Sequence, residues 1–400
     1  MLTNPDIITA RELLLSLTKP AGTHMLSLEQ SYGWVLARVQ YAQEAVPLFD
    51  RSPYDGYAFQ SGDTHQGPVT LRVLEEIPAG GVPHVTVTSG TAVKVLTGAP
   101  IPPGADAVVK FEDTTFTSDS VTLSTPFKPG ENIVRRGEDV CEGQLLASSG
   151  QIIDAGLAGT LASQGILQAE VYRRPRVGIL STGSELVEAD QVPGPGMIRN
   201  TNRYSISAAV HASGCDPVWL GTAGDDIGSI SRLFARGAYN CDCVISTGGV
   251  SVGDYDLTDQ AMTHMGGELL FKGVDMKPGM ACAYSLWQGK LLCGLSGNPA
   301  SSLTNFYALV LPVLRKLAGL SQPVPPEITL TLANNFGKKS PKTRLLRGKV
   351  RFTETGAVLE APNDQGNVVL SSAIGCDGIA IVPAGSGKLE AGTVLKGFLV

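Results

Sequence analysis

Apolar residues recur at helical spacing across residues 5–18 (P-D-I-I-T-A-R-E-L-L-L-S-L-T), which predicts a helix with Thr9 as its cap. A second short helical stretch is predicted within 24–40, ending near Gly33. The texture then changes. From about Pro47 to Gly137 the chain is rich in Val, Thr, Gly and Pro, with alternating runs at 84–88 (H-V-T-V-T) and 107–111 (A-V-V-K-F), the pattern of short strands and tight turns. Residues 138–171 are mixed, and Arg173-Arg174-Pro175 marks a boundary. Beyond Arg176 the order is strand, glycine-rich turn, helix, repeated. Strands are predicted at 177–180, 218–220, 244–245 and 291–295, with helices over Asn202–Ala212, Asp226–Tyr239 and Pro299–Ala318. Asn298 as N-cap and Pro299 at the first helical position start the last helix, and Ala300, Leu303, Tyr307, Val310, Leu311 and Leu314 give it an apolar stripe. The proline-rich linker 322–326 follows, and 327–400 has an all-β texture.

Strands alternating with helices predict a parallel-type sheet covered on both faces. The expected fold class is therefore multidomain α/β plus β. A central three-layer α/β domain (173–321) is flanked by a β-rich small domain (47–137) and a C-terminal β-barrel-like domain (327–400). Residues 1–46 and 138–172 are expected to form one discontinuous N-terminal domain.

Composition narrows the function. A length of 400 residues suggests about two to four domains. The formal charge is 31 − 37 = −6, and a nucleic-acid partner is disfavoured as the main function. The 7 cysteines are scattered, and Cys241-x-Cys243 is too short for a zinc knuckle, so they read as buried thiols. The histidines have no ligand spacing. With no signal peptide and no apolar run of about 18 residues, a cytoplasmic protein without a membrane partner is expected.

Ligands of a parallel sheet sit beyond the carboxyl ends of its strands. Three loops have that placement: S-T-G-S-E-L at 181–186, S-T-G-G-V-S-V-G-D-Y-D at 246–256 and S-G-N-P at 296–299. None is a Walker loop or a dinucleotide fingerprint. Exposed backbone N–H groups at such turns can bind an anion without a cationic side chain. Glu185, Asp225 and Asp256 each follow a strand of this domain. Acids gathered beside a phosphate site point to a divalent cation between them and the ligand. Lys272 and Lys277, placed just after a helix, and the run 338–351, with seven basic residues and no acid, could serve an anionic ligand or a solvated β edge. The turn-rich stretches 47–58 and 96–107, around Asp55 and Thr97, have the make-up of shaped binding loops.

Taken together, P-L-F-D-R-S-P-Y-D-G-Y-A, L-T-G-A-P-I-P-P-G-A-D-A-V-V, N-I-V-R-R-G-E-D, L-S-T-G-S-E-L, I-R-N-T-N, S-T-G-G-V-S-V-G-D-Y-D, M-K-P-G and G-N-P-A-S-S resemble the molybdopterin molybdenumtransferase family, shared with the C-terminal domain of gephyrin. The resemblance implies an elongated homodimer of four-domain subunits with its active site at the subunit interface. It implies insertion of molybdate into adenylylated molybdopterin, with AMP released in the presence of Mg²⁺. By the same resemblance, Asp55 and Thr97 would come from the partner's β domain, and Glu185, Asp225 and Asp256 would serve the metal and the phosphoryl centre. Gly248, Gly249, Ser251, Ser296, Gly297 and Asn298 would hold phosphates and pterin, and Lys272, Lys277 and Arg347 would attract the oxyanion. A separate adenylylating protein would supply the substrate. Four positions depart from the usual pattern. Met280 replaces the second lysine of K-P-G-K-P, Gly273 stands where a further lysine is usual with Lys272 one position early, Ser296 replaces a proline, and Val134 stands where arginine is common. The altered lysines leave tungstate or another oxyanion as an alternative substrate, and gephyrin offers the alternative of a scaffold.

Overall fold

The computed structural model of the chain describes residues 1–250 and 257–400. Its central sheet is built from six strands of the α/β domain, labelled in order from Arg176. These are β1 (Arg176–Thr182), β2 (Asp216–Ala223), β3 (Cys243–Thr247), β4 (Glu268–Lys272), β5 (Cys282–Trp287) and β6 (Lys290–Leu295). Helices α1 (Thr201–Ala212), α2 (Ile227–Asn240) and α3 (Thr258–His264) lie between strands, and α4 (Pro299–Asn305) follows β6. A π-helical turn at Phe306–Val310 carries α4 on into Leu311–Leu317.

The sheet order is Leu2–Thr3, β4, β5, β6, β3, β1, β2. The run β6–β3–β1–β2 is parallel. β5 is antiparallel to both its neighbours, because β5 and β6 are joined by the two-residue turn Gln288–Gly289. Both turn residues have positive φ (47° and 79°), which matches the twist of a tight hairpin. Alternate residues of each strand feed opposite faces. Val177, Ile179, Cys243 and Ile245 pack against α1 and the long C-terminal helix, whereas Leu180, Val244 and Leu292 pack against α2 and α3. The chain leaves β1 through α1 towards β2, then crosses back through α2 to β3 on the other side of β1. Connections diverging from neighbouring strands open a crevice at their carboxyl ends.

Four sequence expectations are corrected. The first helix spans Ile7–Leu17 and is capped by Asp6, not Thr9, since Asp6 Oδ1 accepts from the N–H groups of Ile8 and Thr9 at 2.8 and 3.0 Å. This helix contributes Ala10 and Leu14 to the α/β core, and Leu2–Thr3 pairs with β4, so the first 17 residues pack with the α/β domain rather than with 19–46. The predicted helix in 24–40 is instead a strand, Thr23–Ser27, paired with Gln168–Tyr172, followed by a single 3-10 turn at Leu28–Gln30. Residues 84–88 join no ladder; the Glu75 carboxylate accepts from the His84 and Val85 N–H groups there.

In the small β domain, a six-stranded sheet runs in the order Ala107–Lys110, Gly56–Phe59, Thr91–Val95, Val69–Ile77, Ser120–Leu123, Thr114–Phe116. Five strands between Ile328 and Leu399 close into a barrel. The barrel is stitched to the α/β domain at Lys277, whose N–H donates to Thr343 O at 2.8 Å and whose carbonyl accepts from Leu345 N at 2.9 Å.

The amino ends of β1 and β3 are clamped by one ion pair. Asp242 accepts from both terminal nitrogens of Arg173 at 2.8 and 2.5 Å and from the Arg176 N–H at 2.8 Å. Burial opposes ionisation of Asp242, but the Arg173 guanidinium and the Arg176 N–H outweigh it and hold the carboxyl below its ordinary value. A carboxyl so held stabilises the fold above its unfolded value and loses that contribution as pH falls through the folded value. The Arg173 side chain is 39% exposed, so solvent screening limits the pair to about 1 kcal/mol. Arg173→Ala should therefore lower stability by about that amount at pH 7, with the deficit shrinking as pH falls below the ordinary carboxylate range, as measured by urea unfolding across pH.

Candidate active site

The strand-end loops converge on one cavity of 1010 Å³. Its walls are Thr182, Gly183 and Glu185 after β1, Asp225 after β2, Thr247–Val250 after β3 and Ser296–Asn298 after β6. Met276–Ala281, Asn202 and Ser301 add to them, with Pro341, Lys342 and Asn367 from the barrel domain. The convergence depends on Gly248. Its φ is +104°, and a Cβ there would lie 2.4 Å from Thr182 O. Only glycine lets the loop after β3 lie this close to the end of β1. Thr258, opening α3, fixes the same turn, donating from Oγ1 to Gly248 O at 2.9 Å and from N to Gly249 O at 3.0 Å.

The first turn of α1 ties the remaining loops together. Asn200 caps it, Oδ1 accepting from Arg203 N at 3.1 Å and from Ser181 Oγ at 3.3 Å. Asn202 Nδ2 donates to Gly297 O at 2.8 Å, joining α1 to the loop after β6. Thr182 Oγ1 and Asn202 Oδ1 are buried cavity-lining atoms with no hydrogen-bond partner among the described residues. Such atoms are costly in a closed core and fit a wall that receives a polar ligand.

Two carboxylates stand on this wall. Asp225 Oδ2 accepts from Ser184 Oγ at 2.6 Å and Ser184 N at 3.2 Å. Glu185 folds back over Gly183, where a Cβ would lie 2.3 Å from its carboxylate. Among the described residues neither acid forms an ion pair, and no cluster of three metal-ligating side chains is present. Two exposed carboxylates free of cationic partners suit a hard, oxygen-seeking cation such as Mg²⁺. Asp256 and Ser251 lie outside the described residues.

Eight of the residues singled out in the sequence line the cavity together: Glu185, Asp225, Gly248, Gly249, Lys277, Ser296, Gly297 and Asn298. Asn298 holds the N-cap position of α4, but its side chain makes no capping bond. Lys272 and Arg347 are not in the lining. Lys272 ends strand β4 rather than following a helix, and its Nζ pairs with Asp259 at 2.8 Å. Arg347 is wholly buried between the barrel and α4, donating to Thr304 Oγ1 at 3.0 Å and Ser372 Oγ at 2.9 Å, and burial lowers its pKa. Asp55 and Thr97 also stand apart from this cavity. They form a pair on the small β domain, with Asp55 Oδ1 accepting from Thr97 N at 2.7 Å and Thr97 Oγ1 at 2.8 Å. The backbone N–H of Thr97, then its hydroxyl, holds the Asp55 carboxyl below its ordinary value. Thr182, Ser184, Asn202, Ser301, Lys342 and Asn367 belong to the site without having been named individually, although all but Asn367 lie in segments quoted from the sequence: S-T-G-S-E-L, I-R-N-T-N, G-N-P-A-S-S and the basic run 338–351.

Three family models cover most of the chain. Residues 6–165 match "MoeA N-terminal region (domain I and II)", 178–316 match "Probable molybdopterin binding domain", and 329–397 match "MoeA C-terminal region (domain IV)". A molybdopterin molybdenumtransferase of Staphylococcus aureus (strain MRSA252) is 36% identical over 94% of this chain and 90% of its own. The chain belongs to the molybdopterin molybdenumtransferase family. It is an enzyme of molybdenum cofactor biosynthesis. A Staphylococcus epidermidis member is 34% identical over 92% of this chain and 89% of its own. The solved structure of a molybdopterin biosynthesis MoeA protein from Pyrococcus horikoshii OT3 superposes with a TM-score of 0.86 at 29% identity, covering 99% of this chain and 100% of that one. Among the described residues no helix is long and apolar enough to cross a membrane.

All of the cavity lining except Pro341, Lys342 and Asn367 thus falls in the segment that the molybdopterin-binding model covers. Gly248→Ala should force the β3 loop away from Thr182, costing about 1–3 kcal/mol. Urea unfolding should show that loss, and turnover should fall with it. Unaltered stability and turnover would mean that the close approach is not needed.

Proposed function

We propose that this transferase inserts molybdate into adenylylated molybdopterin and releases AMP, at a site completed by a second copy of the chain. The observation that carries the reading is the cavity itself: backbone turns and buried polar atoms for an anionic pterin nucleotide, two acids without an ion pair among the described residues, and nearby lysines in one lining. Cleaving a phosphoanhydride requires charge neutralisation and alignment of the attacking oxygen more than a strong base.

In this reading Gly248, Gly249 and Gly297 offer backbone to the phosphates, and Asn202 Oδ1 and Thr182 Oγ1 accept from polar hydrogens of the ligand. Ser184 keeps Asp225 oriented through its two hydrogen bonds. Glu185 and Asp225, with Asp256 by family resemblance, would hold Mg²⁺, which when bound offsets phosphate charge. Lys277 favours approach of the oxyanion. Asp55, ionised and fixed by Thr97, would enter the site from the partner's small β domain, since in its own chain it lies away from the cavity. The remaining members of this reading are a homodimer and a separate adenylylating protein that delivers the substrate. The lysines missing at 273 and 280 motivate a second reading, in which the same pterin nucleotide is handled with tungstate or another oxyanion in place of molybdate.

Incubation with adenylylated molybdopterin, Mg²⁺ and molybdate or tungstate should release AMP, followed by chromatography. Release with neither oxyanion would sink the proposal. For the shared site, Asp55→Ala and Asp225→Ala should each reduce turnover at least 100-fold, on the order of what loss of one transition-state contact costs. A doubly tagged heterodimer carrying one change in each subunit should regain about half of the wild-type rate per dimer, because one of its two sites is then intact. A heterodimer as inactive as the single variants would place Asp55 in its own chain's site.

A further inference from the structure

Met280 stands where the family pattern has a second lysine, and Gly273 where another is usual. On the segment 271–281 alone, Lys277 is then the single ammonium in the cavity lining. A second one arrives from another domain. The bonds from Lys277 to Thr343 and Leu345 set the start of the first long barrel strand (Arg344–Thr353) beside residue 277, with Lys277 and Arg344 in parallel register. This seam carries Pro341 and Lys342 into the cavity lining. Lys342 Nζ lies 3.4 Å from Met280 Sδ and 3.1 Å from Asp275 Oδ1.

Its ammonium therefore sits against the Met280 side chain, within reach of the space that a lysine at 280 would serve. A thioether is a weak acceptor and cannot hold an ammonium by itself. Asp275 does the holding. Both side chains of the Lys342–Asp275 pair are 41% exposed, so solvent screens their attraction, and an arriving dianion can share the ammonium.

We propose that Lys342 is an oxyanion-binding residue of this enzyme, supplying from the barrel domain the cation that position 280 lacks. Its ligand is a tetrahedral dianion of the molybdate class. The assignment rests on the function proposed above. Lys277 remains the cation next to the loops, and Lys342 adds a second charge at the seam between domains.

The test is calorimetric titration of the whole protein with molybdate, paired with AMP-release kinetics. Lys342→Ala should weaken molybdate binding about tenfold, which corresponds to about 1.4 kcal/mol. It should raise the half-saturating molybdate concentration by the same factor. Maximal turnover and the half-saturating concentration of adenylylated molybdopterin should stay within about twofold, a split that a general structural defect would not give. Lys342→Arg should keep molybdate affinity, and Met280→Lys should restore it in the Lys342→Ala background. A folded Lys342→Ala variant with unchanged molybdate affinity overturns the proposal, as does failure of Met280→Lys to restore it. Molybdate binding that is weakened by Lys342→Ala without AMP release in any variant would reject the proposed reaction and leave Lys342 as an oxyanion ligand. No molybdate binding by the wild-type protein in either measurement would reject both.

Discussion

The site depends on how closely the ends of β1, β3 and β6 can approach one another. Gly248 lies against the Thr182 carbonyl, and a Cβ on Gly297 would lie 3.5 Å from the Gly248 Cα. Any side chain at 248 would stand where the two loops meet. Because the sheet at this point is parallel, all three strands present carboxyl ends to the same edge, and the diverging connections from β1 and β3 leave that edge open. Glycine thus lets the loops at this edge of the sheet close together around one cavity. The polar capping by Asn200 and the cross-link from Asn202 to Gly297 then stiffen it. Groups tied together in this way lose less conformational freedom when a ligand binds.

Charge is divided between the structural units in a way that suits an anionic substrate and an oxyanion. The acids Glu185 and Asp225 stand at the ends of β1 and β2, whereas the ammonium groups come from the 271–281 segment and from the barrel that is sewn to it. Opposite charges of the lining thereby stand on separate elements. The barrel is more than a terminal appendage, since its first long strand runs beside Lys277, and Pro341, Lys342 and Asn367 form part of the wall. Arg347 secures this arrangement from behind. Its guanidinium, fully buried, spans from Thr304 on α4 to Ser372 of the barrel domain, so removing it would leave two hydroxyl groups without a donor at the seam.

Much of the α/β domain was legible because strands buried on both faces read as short apolar runs and the helices between them carry capping residues and apolar stripes. Two of the errors come from pairing at long range, that of Leu2–Thr3 with β4 and that of Thr23–Ser27 with Gln168–Tyr172. Thr23–Ser27 has some helical spacing but is fixed as a strand by Gln168–Tyr172, more than a hundred residues further on. Residues 84–88 alternate well, yet their N–H groups at 84 and 85 are taken by a single glutamate, Glu75. The site followed the same rule. Gly248, Gly249, Ser296, Gly297 and Asn298 could be found because loop composition after a strand is a local signal. Asn202 lay in a quoted motif and Lys342 in the basic run 338–351, but their roles were not legible, since their partners Gly297 and Met280 are 95 and 62 residues away.

The Asp55–Thr97 pair bears on how many chains make a site. Both hydrogen bonds from Thr97 fall on Oδ1 of an exposed carboxylate, which keeps Asp55 ionised and leaves Oδ2 outside the pair. Fixing an exposed acid in this way contributes little to stability, because water would solvate it as well. The local structure nevertheless specifies it closely. Gly56, next in sequence, starts a strand in which a Cβ would strike Val109 O at 1.8 Å, so the backbone at Asp55 is held tightly against its neighbour. A carboxylate that is ionised, oriented and exposed, on a domain that contributes nothing to the cavity of its own chain, has the properties of a group presented to another molecule. The cavity has the complementary property: its acids and lysines sit in an open wall rather than a sealed one. A second copy docking its small β domain over that wall, as proposed above, would bring these two complementary surfaces together.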